Sequence, residues 1–227
     1  MLTLKNFIRR VGLRTFVLFS LAITICFTAI ACDKTTTTTT GGDTPVAAGI
    51  PPEVVVDYIY TTLAADRTAY TKHVVSRAKV LEGKEKDKGV LDIEATEGWV
   101  DDDGIPLPAQ MFRLGSEAAA DIAEEAGLSF SYNLISTWYI NDSHGPKSDF
   151  EKVAMEKVNE TGEPYKDYQE IGGQTYFSAL FPDKAVAEAC VTCHNTHPVH
   201  LERYPDKVFE MDEVMGGIII NLPVDKS

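Results

Sequence analysis

The stretch Tyr165–Phe181, YKDYQEIGGQTYFSALF, decides the fold class. Two strand-like runs, Tyr165–Ile171 and Gln174–Phe181, flank Gly172-Gly173, and a two-glycine loop suits a tight hairpin whose central positions need positive φ. Upstream, Ser148-Asp149-Phe150-Glu151 is a capping-box pattern in front of a short helix that Gly162 and Pro164 terminate. Further back, Leu128, Phe130, Tyr132 and Leu134 alternate with Ser129, Ser131 and Asn133, the pattern of a half-buried strand. Downstream, Val214–Leu222 with Ile218-Ile219-Ile220 reads as a buried strand.

The strands follow two long helical patterns. From Glu53 to about Leu81, Val55, Ile59, Leu63, Tyr70, Val74, Ala78 and Leu81 form one apolar stripe, with Asp57, Lys72 and Lys79 opposite. Arg67 and Arg77 interrupt that stripe and are expected to snorkel to its edge. A charged, irregular stretch, Glu82–Gly104, comes next. Pro106 and Pro108 then open a second helix whose expected face is Met111, Leu114, Gly115, Ala118, Ile122 and Ala126, ended by Gly127. Long helices followed by a meander of antiparallel strands predict an α+β domain.

The chemistry lies in Cys190-Val191-Thr192-Cys193-His194. Two thiols three residues apart can each add across one vinyl group of a haem, and the adjacent imidazole then reaches the iron from one face. The motif therefore predicts covalent haem c, with thioethers at Cys190 and Cys193 and His194 as the proximal iron ligand. Three other readings fit less well. A disulfide within C-x-x-C leaves His194 without a purpose. A thioredoxin-type dithiol is expected after a strand in a βαβ unit and at a helix start, whereas this pair follows Phe181–Ala189 in the hairpin region. A zinc site needs further ligands at metal spacing, and the chain has no second cysteine pair of that kind.

The chain has 227 residues, 44% hydrophobic and 24% charged, which excludes a disordered, collagen-like or multi-span membrane protein. Its formal charge is −13, but residues 1–31 hold four bases (Lys5, Arg9, Arg10, Arg14) and no acid. From Cys32 onward 17 bases face 34 acids, a net of −17 that argues against nucleic acid as a partner. The basic start followed by uncharged Thr15–Ala31 has the order of an export signal, which assigns residues 1–31 to a signal peptide containing Cys26. Ala29-Ile30-Ala31-Cys32 resembles a bacterial lipobox, making Cys32 the expected lipidation site and anchor to the cytoplasmic membrane, with ordinary cleavage and an uncleaved anchor as the alternatives. Residues 32–52, through the Thr/Gly/Pro-rich DKTTTTTTGGDTPVAAGIPP, form the expected flexible tether, and residues 53–227 one domain. Export and C-x-x-C-H support each other, because haem c is attached outside the cytoplasm.

Beyond the motif, RTAYTKHVV (Arg67–Val75), GIPLPAQMFRLGSE (Gly104–Glu117), YNLISTWYINDSHGPKSDFE (Tyr132–Glu151), CVTCHNTHP (Cys190–Pro198) and GGIIINL (Gly216–Leu222) run in the order seen in exported single-haem c domains. Over nearly the whole domain the chain resembles that family, whose fold is PAS-like and whose members include free-standing haem proteins and sensor halves of histidine kinases and cyclases. The resemblance implies a PAS-like antiparallel sheet with long N-terminal helices, one haem c, and the same roles for Cys190, Cys193 and His194.

The sixth iron position is open to several residues. Met111, on the second helix, can present a thioether, and His73 lies on the flank of the first. His144, in the loop Asn141–Gly145, is a further candidate. His197 and His200 follow His194 by three and six residues and are tethered to the proximal side. His197 is expected to support the site or meet a haem propionate, as is Arg113. Trp138, Tyr139 and Phe181 are expected in the core or at the haem edge. No nucleophile–base pair or phosphate loop is readable, so a redox carrier rather than an enzyme is expected. The leading expectation is an electron-transfer cytochrome on the periplasmic face of the membrane, meeting redox partner proteins through its acidic surface. The alternative is a haem-based redox or gas sensor acting through a separate signalling protein.

Overall fold

The computed structural model describes residues 49–78 and 93–224. The expected signal peptide, Cys26, Cys32, most of the tether, Lys79 and Leu81 lie outside the described residues. Among the described residues no helix is long and apolar enough to cross a membrane.

Helix α1 spans Pro52–His73, with Pro52 in the first turn, where its missing N–H is no loss. It ends eight residues short of Leu81. At Val74 the backbone leaves helical geometry, a 3-10 turn Val75–Arg77 follows, and the Ser76 hydroxyl donates to the Thr71 carbonyl that the lost turn leaves open. Helix α2 spans Pro108–Glu125, with the Gln110 side-chain carbonyl accepting from the Leu107 amide at 2.9 Å. Its buried residues are Phe112 and Ala123, while Met111 and Ile122 are 43% and 67% exposed. The buried face is thus one residue on from the expected one. The Phe112 ring, edge-on to Tyr132 at 5.2 Å, carries more apolar area into the core than Met111 does.

Strand β1 is Ser131–Ile135, α3 is Asp149–Thr161, β2 is Tyr165–Ile171 and β3 is Gln174–Lys184. Short helices α4 (Glu188–Thr196) and α5 (Pro198–Arg203) precede the last strand, β4 (Val214–Pro223). The four strands form one antiparallel sheet in the order β1-β4-β3-β2, which bears out the α+β class. The β2–β3 hairpin closes with Ile171 opposite Gln174, and Gly172 and Gly173 have φ of 61° and 85°. The capping box forms as read: Ser148 Oγ accepts from the Glu151 amide at 3.1 Å and Glu151 returns an acceptor to the Ser148 amide. Gly162, at φ 70°, ends that helix in the left-handed region.

The sheet is covered on both faces. Val56 of α1 and Phe112 of α2 pack on Phe177, Ala179, Phe181, Ile218 and Ile220. Ala154, Met155 and Val158 of α3 cover Leu180 and Ile219 on the other face. Alternate isoleucines of β4 thus enter different cores, which is why the run Ile218–Ile220 has no polar member.

Candidate functional site

Helix α4 carries the motif in its first two turns. Cys190 and Cys193 are one turn apart and His194 is four residues beyond Cys190, so all three fall on one face. No disulfide joins the two thiols. The pair does follow a strand and open a helix, unlike the expectation, because β3 runs three residues past Phe181. The strand lies in an antiparallel sheet, however, and no βαβ unit surrounds it. Among the described residues no group of three His, Cys, Asp or Glu converges as a zinc set requires.

Two contacts hold α4 in place. Ala189 packs with Val75, Ala78 and Ala95, while Cys190 and Val191 lean on Ala185, Phe209 and Met215. Asn195, beside the motif, donates through its side-chain amide to the Phe209 carbonyl and accepts from the Phe209 amide, both at 2.9 Å. Phe209 in turn stands edge-on to His194, with ring centroids 5.5 Å apart. Asn195→Ala removes both bonds and leaves the backbone N–H and C=O of the buried Phe209 without those partners. We expect it to lower stability by about 1–3 kcal/mol; a urea midpoint unchanged from wild type would contradict that bracing.

Cys190, Cys193 and His194 line one wall of a cleft. The end of α1, the start of α2, the segment after β1 and the start of β4 form the rest, through residues such as Leu107, Leu134, Ile135, Trp138 and Met215. Apolar surface predominates in the cleft's lining. His194 is pushed down to a pKa of about 4, first by burial and then by the nearby charges of His200 and Arg67. At neutral pH its ring is therefore uncharged, with a lone pair available to a metal. Its Nδ1 is buried without a hydrogen-bond partner.

Two arginines border the same space. Arg113 was expected there, and it lines the cleft while pairing with Glu117 at 3.0 Å. Arg67 is the residue that sequence reasoning misplaced. Rather than snorkelling, it points inward, and Nε and Nη2 donate to Asp183 at 2.8 and 2.6 Å. The side chains are 14% and 12% exposed. Burial works against the charge, but Asp183 outweighs it and holds the Arg67 pKa above its ordinary value. Its Nη1 lies buried with no partner in a cleft that Arg67 also lines. The legible signal was a cation interrupting an apolar stripe, which marks a buried ion pair as readily as a snorkelling side chain.

The other candidates divide sharply. Met111 lies exposed on α2 and His73 exposed at the end of α1, and neither lines the cleft. The core takes Phe112 in place of Met111, and α1 stops at His73 with that side chain outward, so the structure does not bring either expected distal ligand to the motif. His197 is buried, but its Nδ1 accepts from the Val199 amide at 3.2 Å and its Nε2 lies 3.3 Å from Glu97. It does not itself line the cleft, whereas Glu97, beside its Nε2, does. His200 is fully buried with Nε2 2.8 Å from the Lys207 carbonyl. His144 does line the cleft. Trp138 and Tyr139 do as well, whereas Phe181 is in the sheet core, stacked on Tyr60 at 4.1 Å.

The donor set suits a covalently held haem. Two thiols and one neutral imidazole face a partly apolar slot, and the guanidinium groups of Arg67 and Arg113 line the same space. Of the comparisons with known proteins, the model of the Tll0287-like family matches residues 55–223. The crystal structure of the cyanobacterial haem protein Tll0287 aligns at 14% identity and a TM-score of 0.44, covering 78% of this chain and 99% of that one. No curated protein matches the chain. The family match spans the motif, the cleft and all four strands, and bears out the resemblance drawn from the sequence: the chain belongs to the Tll0287-like family.

Proposed function

We propose that this protein is a c-type cytochrome domain with one covalent haem, tethered through Cys32 to the periplasmic face of the cytoplasmic membrane, and that it carries electrons. The observation that carries the haem reading is the convergence of Cys190, Cys193 and a buried, neutral His194 on one wall of one cleft. Membership in a family whose namesake is a haem protein supports it.

Cys190 and Cys193 would hold the group as thioethers, each S–H adding across a vinyl bond, sulfur to one carbon and hydrogen to the other, which balances without an oxidant. His194 Nε2 supplies the proximal lone pair, and burial keeps protons from competing for it. Arg67 and Arg113 meet the carboxylates. Apolar walls from Leu134, Ile135 and Met215 hold water away. Bound there, a haem supplies a reversible one-electron couple. The net charge of −17 from Cys32 onward steers the domain toward basic patches on redox partner proteins.

The test is a pyridine haemochrome assay and a spectrum of the reduced protein with and without carbon monoxide. A c-type haemochrome at one haem per chain, with no change on adding the gas, is the expected result. Absence of haem c rejects the assignment. A carbon monoxide adduct in the wild type replaces the carrier with the haem-based sensor acting through a separate signalling protein.

A further inference from the structure

Two histidines line the cleft, and the motif accounts for one of them. The other, His144, ends a 3-10 turn Asp142–His144 in the segment that leaves β1. Its Nε2 is buried and has no hydrogen-bond partner. A buried ring nitrogen left unpaired is destabilising, so the position favours a partner at Nε2.

The backbone around His144 is pinned. Its carbonyl accepts from the Ser136 amide at 2.9 Å, its amide donates to the Asn141 carbonyl at 2.9 Å, and Asn141 Oδ1 accepts from the Ser143 amide at 2.9 Å. Gly145 sits so close to Tyr139 that a Cβ there would come within 2.9 Å of the ring. The ring is thus presented from a fixed frame.

Sheet topology brings the segments that carry the two histidines out at one end of the sheet, from different strands. Strands β1 and β3 both run antiparallel to β4 and flank it, so their C-terminal ends emerge at the same end of the sheet. They are two strand spacings apart, about 10 Å. His194 follows β3 and His144 follows β1, with Met215 and Gly216 at the start of β4 lining the space between. Burial, then the charges of Arg113, Lys147 and Arg67, lowers the His144 pKa and favours the neutral ring that ligation needs.

We infer that His144 is the second axial ligand, binding through Nε2 on the side of the iron opposite His194. The inference rests on the haem c reading above. It makes the site bis-histidine, six-coordinate and closed to small gases.

The experiment uses the haem-loaded protein, with His144→Ala, His144→Met and Met111→Ala beside wild type. Pyridine haemochrome content, electron paramagnetic resonance, midpoint potential and carbon monoxide binding are measured on each. Wild type and Met111→Ala should be low-spin and inert to the gas. His144→Ala should keep its thioether-bound haem, lose the low-spin signal and gain a carbon monoxide adduct, and added imidazole should restore the low-spin state. His144→Met should remain six-coordinate with a raised potential. Should the alanine variant fail to accumulate, the methionine variant decides, and an unshifted potential there refutes the ligation. A wild-type protein that is high-spin, or an alanine variant that stays low-spin and inert without imidazole, overturns the assignment while leaving haem c standing. A chain with no haem c removes both.

Discussion

Alanine at both Cys190 and Cys193 is expected to give a protein whose pigment is lost entirely on denaturation, where wild type keeps essentially all of it. Both thiols face the cleft from one side of α4, and no disulfide competes for them. With two thioethers the group stays with the chain through acid–acetone extraction or a denaturing gel, and with none it is held only by His194 and apolar contact. Each single substitution leaves one thioether, so haem-dependent staining should persist in both single variants and vanish in the double. Equal staining of the double variant and wild type would remove the cysteines from the site. The same double variant should be less stable when folded, because a group bound only to the native state contributes stability that depends on keeping it there.

The second large effect is expected at Arg67. Its guanidinium makes a two-pronged bond with Asp183, joining the body of α1 to the end of β3, and both side chains are mostly withdrawn from water. Removing one member strands the other as an unpaired buried charge. Arg67→Met should therefore lower stability by about 3–5 kcal/mol. Asp183→Asn added to that variant should recover much of the loss, because it removes the charge left behind. Urea denaturation of the two single variants and the double variant closes a thermodynamic cycle. If the double variant is destabilised by the full sum of the singles, the pair is not coupled and the ion pair does not brace the cleft.

The hairpin, the capping box and the buried last strand were legible because each depends on neighbours in sequence. Gly172-Gly173 requires only its own backbone geometry, and Ser148 and Glu151 exchange hydrogen bonds three residues apart. The C-x-x-C-H motif was legible for the same reason, since one helical turn sets its geometry. What depended on partners far along the chain was not. Periodicity cannot tell Met111 from Phe112 as the core residue of α2 without knowing that Tyr132 waits beneath. It cannot distinguish a snorkelling Arg67 from a paired one without Asp183, 116 residues away. It extended α1 toward Leu81 because apolar spacing continues past the point where Val74 leaves the helix. His144 ranked behind Met111 and His73, because its place in the cleft depends on where β1 ends relative to β3, a relation that only the finished sheet creates.

That strand order also has a consequence in time. The middle of the sheet is filled by β4, the last strand in the chain, which enters between β1 and β3. Any process that delivers the polypeptide from its N-terminus exposes Cys190, Cys193 and His194 before residues 214–223 arrive. Until then β1 lacks its neighbour and the segment bearing His144 has no fixed position against α4. The thiols thus pass through an interval in which they are accessible and the opposite wall is not yet built, and insertion of the final strand ends it.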